Sequence, residues 1–158
     1  MANVAGLSSL GVKLGYAVET TGGAKPSAFT WLERCNSIGG ISLSTEQIDA
    51  SALEDLVSRY VAGRQDTGGT WEVTFNLTDE VVAQLEAMIS AYEALDGGKR
   101  MWFEVWSPYL AEAFFVVAQP PRVIPMPEFA QNSLQTVAMT FVIEEYKGMD
   151  TAIEPTAA

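Results

Sequence analysis

The sequence predicts a mainly β domain, a β-sandwich or barrel-like fold with one flanking α-helix and a long inter-strand loop. Apolar and polar residues alternate with a period of two in residues 71–77 and 134–146, as in half-buried strands. Only residues 79–95 carry apolar side chains at helical spacing. The chain has 158 residues, 48% of them hydrophobic, which suffices for one core without disulfides or metal. We therefore expect a single domain.

The first part of the chain is rich in Gly, Ser and Thr. We interpret residues 1–28 as an N-terminal arm and loop. Strand-like composition follows in residues 29–34 and 38–48, and residues 46–70 then form a long excursion. That length exceeds an ordinary hairpin connection, so we predict a long loop with a function of its own.

The middle of the chain contains the clearest elements. In residues 71–77 the odd positions are apolar and the even positions polar, which predicts a strand buried on one face. A helix is predicted over residues 79–95, because Thr78 is a favourable N-cap and the first turn is acidic. Gly97 and Gly98 are expected to end that helix.

Two further strands are predicted after the helix, at residues 101–106 and 112–119. Residues 114–118 lack polar alternation, so we expect them to be buried on both faces of the sheet. Four prolines fall between residues 120 and 127, and proline cannot donate to a strand ladder. We therefore interpret that segment as a connector or an edge.

The last predicted strand, residues 134–146, is the longest. It completes a domain that we assign to residues 29–147, followed by a C-terminal arm at residues 148–158. The prediction amounts to about seven strands and one helix.

The composition argues against catalysis. The chain has no His, which removes the commonest general base and metal ligand, and its single Cys35 rules out a thiolate metal site. Acidic pairs exist, but their members are adjacent in sequence and point in different directions. We expect no enzymatic activity, no metal and no cofactor. Cys35 is interpreted as a small buried hydrophobe.

The charge restricts the possible partners. The formal net charge is −11, from 20 acidic and 9 basic residues, which disfavours binding to nucleic acid or to an anionic membrane. No apolar run reaches the length of a membrane span. The four tryptophans could form a stacking platform, but we interpret them as core or subunit interface. They are Trp31, Trp71, Trp102 and Trp106.

The long excursion contains an ordered series of short motifs. They read Ile48-Asp49-Ala50-Ser51-Ala52-Leu53-Glu54-Asp55, Arg59-Tyr60-Val61-Ala62-Gly63, Asp66-Thr67-Gly68-Gly69 and Trp71-Glu72-Val73-Thr74-Phe75. In this order they resemble the tail tube (major tail) proteins of long-tailed, siphovirus-type bacteriophages. The likeness covers residues 29–147 and includes the order of the elements. Arg64-Gln65 departs from the pattern, since many relatives have an apolar residue after the glycine.

The resemblance implies a tail tube fold and a structural role. Six copies would form a ring, and stacked rings would form a tube whose lumen conducts the viral genome during ejection. The implied partners are other copies of the chain, the tape-measure protein and the tail terminator and tip proteins, with DNA passing through without specific binding. The implied location is the virion tail, assembled in the bacterial host cytoplasm.

Two alternatives remain. The tube of a contractile secretion or tail-like machine shares the fold that the resemblance implies. A monomeric β-barrel module that binds a sugar or an apolar ligand belongs to another class. It requires a pocket lined by the tryptophans and a monodisperse monomer.

Two sets of residues follow as candidates for contacts in a tube. The set expected to contact neighbouring copies is Asp49, Leu53, Asp55, Arg59, Tyr60, Arg64 and Asp66. The set expected to face the lumen is Ser42, Ser44, Glu46, Glu72, Thr74 and Asn76. An acidic or neutral polar wall would repel phosphates, so DNA would slide along it. The simpler alternative is that both sets face solvent.

Overall fold

A computed structural model describes residues 5–157, which form nine strands and one helix. The strands and helix are β1 Lys13–Val18, β2 Thr30–Leu32, β3 Cys35–Ile38, β4 Ser44–Asp49, β5 Tyr60–Asp66, β6 Thr70–Asn76, α1 Asp79–Glu93, β7 Met101–Trp106, β8 Glu112–Gln119 and β9 Thr136–Thr151. Seven strands form one antiparallel sheet in the order β2-β1-β7-β8-β9-β6-β3, and β4 pairs only with β5. The predicted mainly β class with one helix is confirmed.

The large sheet is curved so strongly that its two edge strands, β2 and β3, lie close together. Its edge strands β2 and β3 are separated in the chain only by Glu33 and Arg34. Three peptide units span at most about 11 Å, so Leu32 and Cys35 hold the opposite edges of the sheet close together. Arg34 makes the turn in the left-handed region, with φ of 61°. The sheet therefore encloses an interior.

That interior is filled by an inner cluster of buried side chains. Trp71, Phe103 and Phe141 lie at its centre, with ring centroids 5.8 Å apart for Trp71 and Phe103 and 4.8 Å apart for Phe103 and Phe141. Alternate residues of β6 point into it, as the period of two predicts. The inner cluster comprises Leu14, Leu32, Trp71, Val73, Phe75, Val81, Leu85, Met88, Ile89, Met101, Phe103, Val116, Ala118, Val137, Met139 and Phe141.

Helix α1 packs against the inner cluster. Its N-cap is Thr78, whose side chain accepts a hydrogen bond of 3.2 Å from the backbone N–H of Val81, as predicted. The Gln84 side chain accepts a hydrogen bond of 3.0 Å from the backbone N–H of Glu33, which ties the helix to the corner between β2 and β3. The helix ends at Glu93, two residues before the predicted end. Within residues 5–157, no helix is long and apolar enough to cross a membrane.

The opposite face of the sheet carries a second, outer cluster. Its members are Phe29, Trp102, Ala113, Phe115 and Val117. Because neighbours along β8 alternate between the two clusters, residues 115–118 are buried on both faces, which confirms that part of the prediction. The prediction is wrong for Phe114, which is 37% exposed at the rim of the sheet.

The predicted arms differ from the structure. The interpretation of residues 1–28 as an arm and loop is wrong for β1, which pairs with both β2 and β7 and buries Leu14 completely. Residues 1–4 lie outside the described residues. The C-terminal arm is also wrong in part, because β9 continues to Thr151. Residues 120–135 contain no strand, as their prolines predict.

Candidate subunit interface

The predicted long loop is largely a β-hairpin that stands apart from the domain. Strands β4 and β5 pair with each other and not with the large sheet. Every residue of β4 is exposed, and so is every residue of β5 except Gly63. An isolated two-stranded hairpin is only marginally stable in water. Additional interactions are therefore needed to hold this element in shape.

Polar contacts at the tip of the hairpin, residues 50–59 between β4 and β5, provide part of that support. The Asp49 carboxylate accepts a hydrogen bond of 2.9 Å from the backbone N–H of Ser51. The Ser51 hydroxyl accepts one of 2.8 Å from the Arg59 N–H, which joins the two ends of the tip. Asp55 accepts a bond of 2.7 Å from the Ala52 N–H, and its carboxylate lies 3.2 Å from Arg59 Nε. The tip is thus a locally bonded loop.

The ordered tip presents apolar side chains to solvent. Leu53 and Leu56 are fully exposed, and Val57 is 77% exposed. On one face of the hairpin, Ile48 and Val61 are directly opposite each other and both are about half exposed. A contiguous exposed apolar patch on a small domain is typical of an interaction surface. We call Leu53, Leu56 and Val57 the tip patch.

All seven residues predicted to contact neighbouring copies lie on this hairpin. Asp49 and Tyr60 are directly opposite each other where the strands end. Asp55 and Arg59 form an ion pair within the tip, so the structure assigns them a local role that the sequence does not reveal. Leu53 belongs to the tip patch, Arg64 lies exposed on β5, and Asp66 accepts a bond from Gly68 at 2.9 Å. Their contact with another copy stays a prediction.

Sequence reasoning missed two members of the tip patch, Leu56 and Val57. The available signal was a pair of adjacent apolar residues in a polar loop between Asp55 and Arg59. Such a pair outside a periodic pattern is not predicted to belong to the buried face of a strand or a helix.

The residues predicted to face the lumen fall on two separate elements. Ser44 and Glu46 lie on β4, and Ser42 just precedes it, whereas Glu72, Thr74 and Asn76 lie on β6. Because β4 does not join the large sheet, the two groups do not share one sheet within a single chain. The lumen-facing role stays a prediction for each group. The β6 group lies opposite the buried face of that strand.

A cavity of about 590 Å³ opens at the rim of the sheet between β3 and the start of β8. Its lining includes Cys35, Ile38, Trp71, Phe114 and Tyr146. The Trp71 indole N–H donates to the backbone oxygen of Gly39 at 2.7 Å. Trp71 is the one tryptophan in this lining. A pocket lined by several tryptophans, which the ligand-binding alternative requires, is not formed here.

The other tryptophans have structural neighbours. Trp102 is buried in the outer cluster, which confirms its interpretation as core. Trp31 and Trp106 flank the ammonium group of Lys13, whose Nζ lies 4.7 Å and 5.3 Å from the two ring centroids. Such contacts are favourable cation–π interactions.

Cys35 is expected to be unreactive in the folded protein. Burial raises the pKa of its thiol to about 12, and the thiolate is the nucleophilic form. Iodoacetamide at pH 8 should therefore leave native protein unmodified for hours and alkylate it within minutes in guanidinium chloride, as followed by mass spectrometry. Rapid alkylation of the native chain would contradict the raised pKa of this partly buried thiol. Among residues 5–157, no group of three or more His, Cys, Asp or Glu could hold a metal ion.

Comparison with known proteins gives a likeness in structure. No family model matches the chain, and no curated protein matches it. A chain in the cryo-EM structure of the anti-feeding prophage (AFP) baseplate, 6-fold symmetrised, is similar with a TM-score of 0.51 and 11% sequence identity. The match covers 96% of this chain and 97% of that chain. At this identity the likeness shows a shared fold, and the fold extends over nearly the whole length of both chains.

Proposed function

We propose that this protein is a structural subunit of a phage tail-type assembly, and specifically a tail tube subunit that forms stacked hexameric rings. The observation that carries the proposal is the projecting hairpin, whose apolar tip patch is left uncovered by its own chain. The shared fold with a chain of a six-fold symmetrised baseplate supports it. The lumen of the tube would conduct the viral genome during ejection.

The geometry of the hairpin favours contact between unlike surfaces. Six residues in β4 make the hairpin about 20 Å long. Its tip is exposed and is therefore suited to contact a neighbour rather than its own core. A tip on one copy that binds the body of another makes a heterologous contact, and such contacts generate rings or open stacks. This is the kind of contact that a tube requires.

The charge supports passage of DNA without binding. A subunit with a net charge of −11 repels phosphate, and the polar faces of β4 and β6 offer no basic site among their predicted lumen residues. In this proposal the other partners are the tape-measure protein and the tail terminator and tip proteins. The subunit works by shape in the virion tail, without a cofactor.

A tube or baseplate subunit of a contractile, tail-like machine is the second candidate. The likeness to a chain of the anti-feeding prophage baseplate favours it directly. The two candidates share the requirement for self-assembly through the hairpin. They differ in whether DNA passes through the lumen, which analysis of nucleic acid inside particles from the native source would decide.

Electron microscopy of the purified full chain tests assembly. We expect rings with six-fold symmetry or stacked tubes to form as the concentration rises, together with a rise in mass by light scattering. A monodisperse particle of 17.1 kDa at the highest concentration reached would overturn the proposal and favour a monomeric binding module. Hydrogen exchange on the same sample should show slower exchange of β4 and β5 amides in the assembled form, because a neighbour covers them.

A further inference from the structure

The last described residues fold back over the outer face of the sheet. We call residues 152–157 the C-terminal strap. Ile153 packs on the outer cluster. The backbone of Thr156 donates to the Phe29 oxygen at 3.0 Å and accepts from the Trp31 N–H at 2.8 Å. The strap therefore pairs with the side of β2 that is not bonded to β1.

A glycine on β1 makes room for the strap. A Cβ atom at Gly15 would lie 2.9 Å from the ring of Pro155, which is closer than side chains pack. Pro155 is buried at this position. The close fit indicates that the strap has a specific seat on the sheet.

Glu104 lies beneath the strap. It is on β7 between Gly15 of β1 and Phe115 of β8, and its side chain is fully buried. One carboxyl oxygen, Oε2, accepts a hydrogen bond of 2.9 Å from the Ile153 N–H. The other, Oε1, has no hydrogen-bond partner in residues 5–157. A buried carboxyl with an unpartnered oxygen is unusual, since buried polar groups are normally satisfied.

The nearest cation is engaged elsewhere. Lys25 Nζ donates to the Thr151 oxygen at 2.9 Å, lies 3.2 Å from the Asp150 carboxylate, and stands 4.1 Å from the centroid of the Phe115 ring. It forms no ion pair with Glu104 within 4.0 Å. Burial therefore raises the pKa of Glu104 to about 7, although the Ile153 amide and the charge of Lys25 oppose the rise.

The remaining charged groups around Glu104 also have partners. Lys13 of β1 pairs with Glu154 of the strap, with Nζ and Oε1 3.0 Å apart. Glu19 accepts from the Trp102 indole N–H at 2.8 Å and lies 3.7 Å from Arg100. Neither pair bonds to the Glu104 carboxyl.

We propose that Glu104 is a proton-dependent latch, which holds the C-terminal strap on the sheet when protonated and loosens it when ionised. Closing the strap removes the carboxyl from water, and an ionised carboxyl without an ion pair resists that transfer. Opening restores water to it. The inference is independent of the tube proposal.

The raised pKa of Glu104 determines how opening of the C-terminal strap depends on pH. The carboxyl titrates at about 7 with the strap closed, against an ordinary value of 4.5 when it is hydrated. Protonation of Glu104 therefore favours the closed strap most below pH 4.5, the pKa of the hydrated carboxyl. This contribution to strap closure is lost as the pH rises through about 7, the pKa with the strap closed. Linkage between these two pKa values makes the opening equilibrium larger at pH 8 than at pH 5 by a factor on the order of 10 to 100.

Amide hydrogen exchange on the full chain tests the latch, at a concentration where the chain is monomeric. Wild type and Glu104→Gln are compared at each pH from 5 to 8, so that the intrinsic pH dependence of exchange cancels in their ratio. Glutamine keeps an oxygen acceptor for the Ile153 amide and stays neutral. We expect the ratio of wild-type to variant exchange at Ile153 and Thr156 to rise on the order of 10- to 100-fold from pH 5 to pH 8.

The reference amides decide whether the effect belongs to the strap. The same ratio for paired amides of β6 and β9 should stay near one. A flat ratio at Ile153 and Thr156, or an equal rise across the whole sheet, overturns the proposal. If the variant does not fold, strap amides of the wild type are compared with those of the hairpin, which forms a separate sheet from the one that contains Glu104. A rise confined to the strap supports the latch, and parallel behaviour refutes it.

Discussion

Replacing Leu53 and Leu56 together with Asp is expected to abolish assembly into rings or tubes. Both side chains are fully exposed at the tip of the hairpin, so the isolated chain loses no packing, and we expect the free energy of unfolding to change by less than about 0.5 kcal/mol. An assembly that covers the tip would have to bury two carboxylates without partners, which is strongly unfavourable. Light scattering and electron microscopy at matched concentrations measure the difference.

Leu134→Asp is the matched control for the tip variant. Leu134 is also an exposed leucine, at 66%, but it lies in the connector before β9. This control makes one Leu-to-Asp change away from the hairpin, whereas the tip variant makes two at the tip, and assembly should persist in the control if the tip patch carries the contact. Normal tubes from the tip variant would refute the assignment. Equal loss from both variants would show that the contact is not specific to the hairpin.

Phe103→Ala is expected to have the largest effect on stability. Phe103 is fully buried in the inner cluster, between Trp71 and Phe141. Truncating a phenylalanine in a core leaves a cavity and costs about 3–5 kcal/mol. Native domains are stable by only about 5–15 kcal/mol, so the variant should lose between about a fifth and all of its stability. Urea unfolding followed by tryptophan fluorescence gives the difference.

Phe129→Ala is the control for that measurement. Its ring is 59% exposed in the proline-containing connector, so removing it from the isolated chain should change the free energy of unfolding by less than about 0.5 kcal/mol. A loss below about 1 kcal/mol for Phe103→Ala would show that the inner cluster relaxes around the cavity. It would also mean that the three-ring contact is not the centre of stability.

Elements with strong local signals could be predicted from the sequence. The alternation in β6 and the N-cap at Thr78 each reflect one strand or one helix end, and both are confirmed. Strand β1 was missed because Gly15 stands at its centre, and the reason for that glycine is a distant residue, Pro155. A local sequence pattern cannot indicate a contact between two residues that are about 140 positions apart in the chain.

Neither the β4–β5 hairpin nor the burial of Glu104 could be predicted from a local sequence pattern. Strands β4 and β5 have no buried face, so the alternation that identifies a strand is absent there. Glu104 sits in the sequence Trp102-Phe103-Glu104-Val105 as an ordinary polar residue of a strand. Its burial depends on the C-terminal strap crossing that face of the sheet, which is a tertiary feature. All seven predicted contact residues nevertheless fell on the projecting hairpin.

The order of strands in the large sheet has a consequence for biosynthesis. Leu14 pairs with Val105, and Trp71 pairs with Phe141, so neighbours in the sheet are far apart in the chain. Two of the six strand pairings in the large sheet, β8 with β9 and β9 with β6, cannot form until β9 has been made, because β9 follows all the other described strands in the chain. The nascent chain must therefore keep the apolar strands β6 and β8 from aggregating until β9 has emerged from the ribosome. Such long-range topology also makes folding slower than that of a helical protein of the same size.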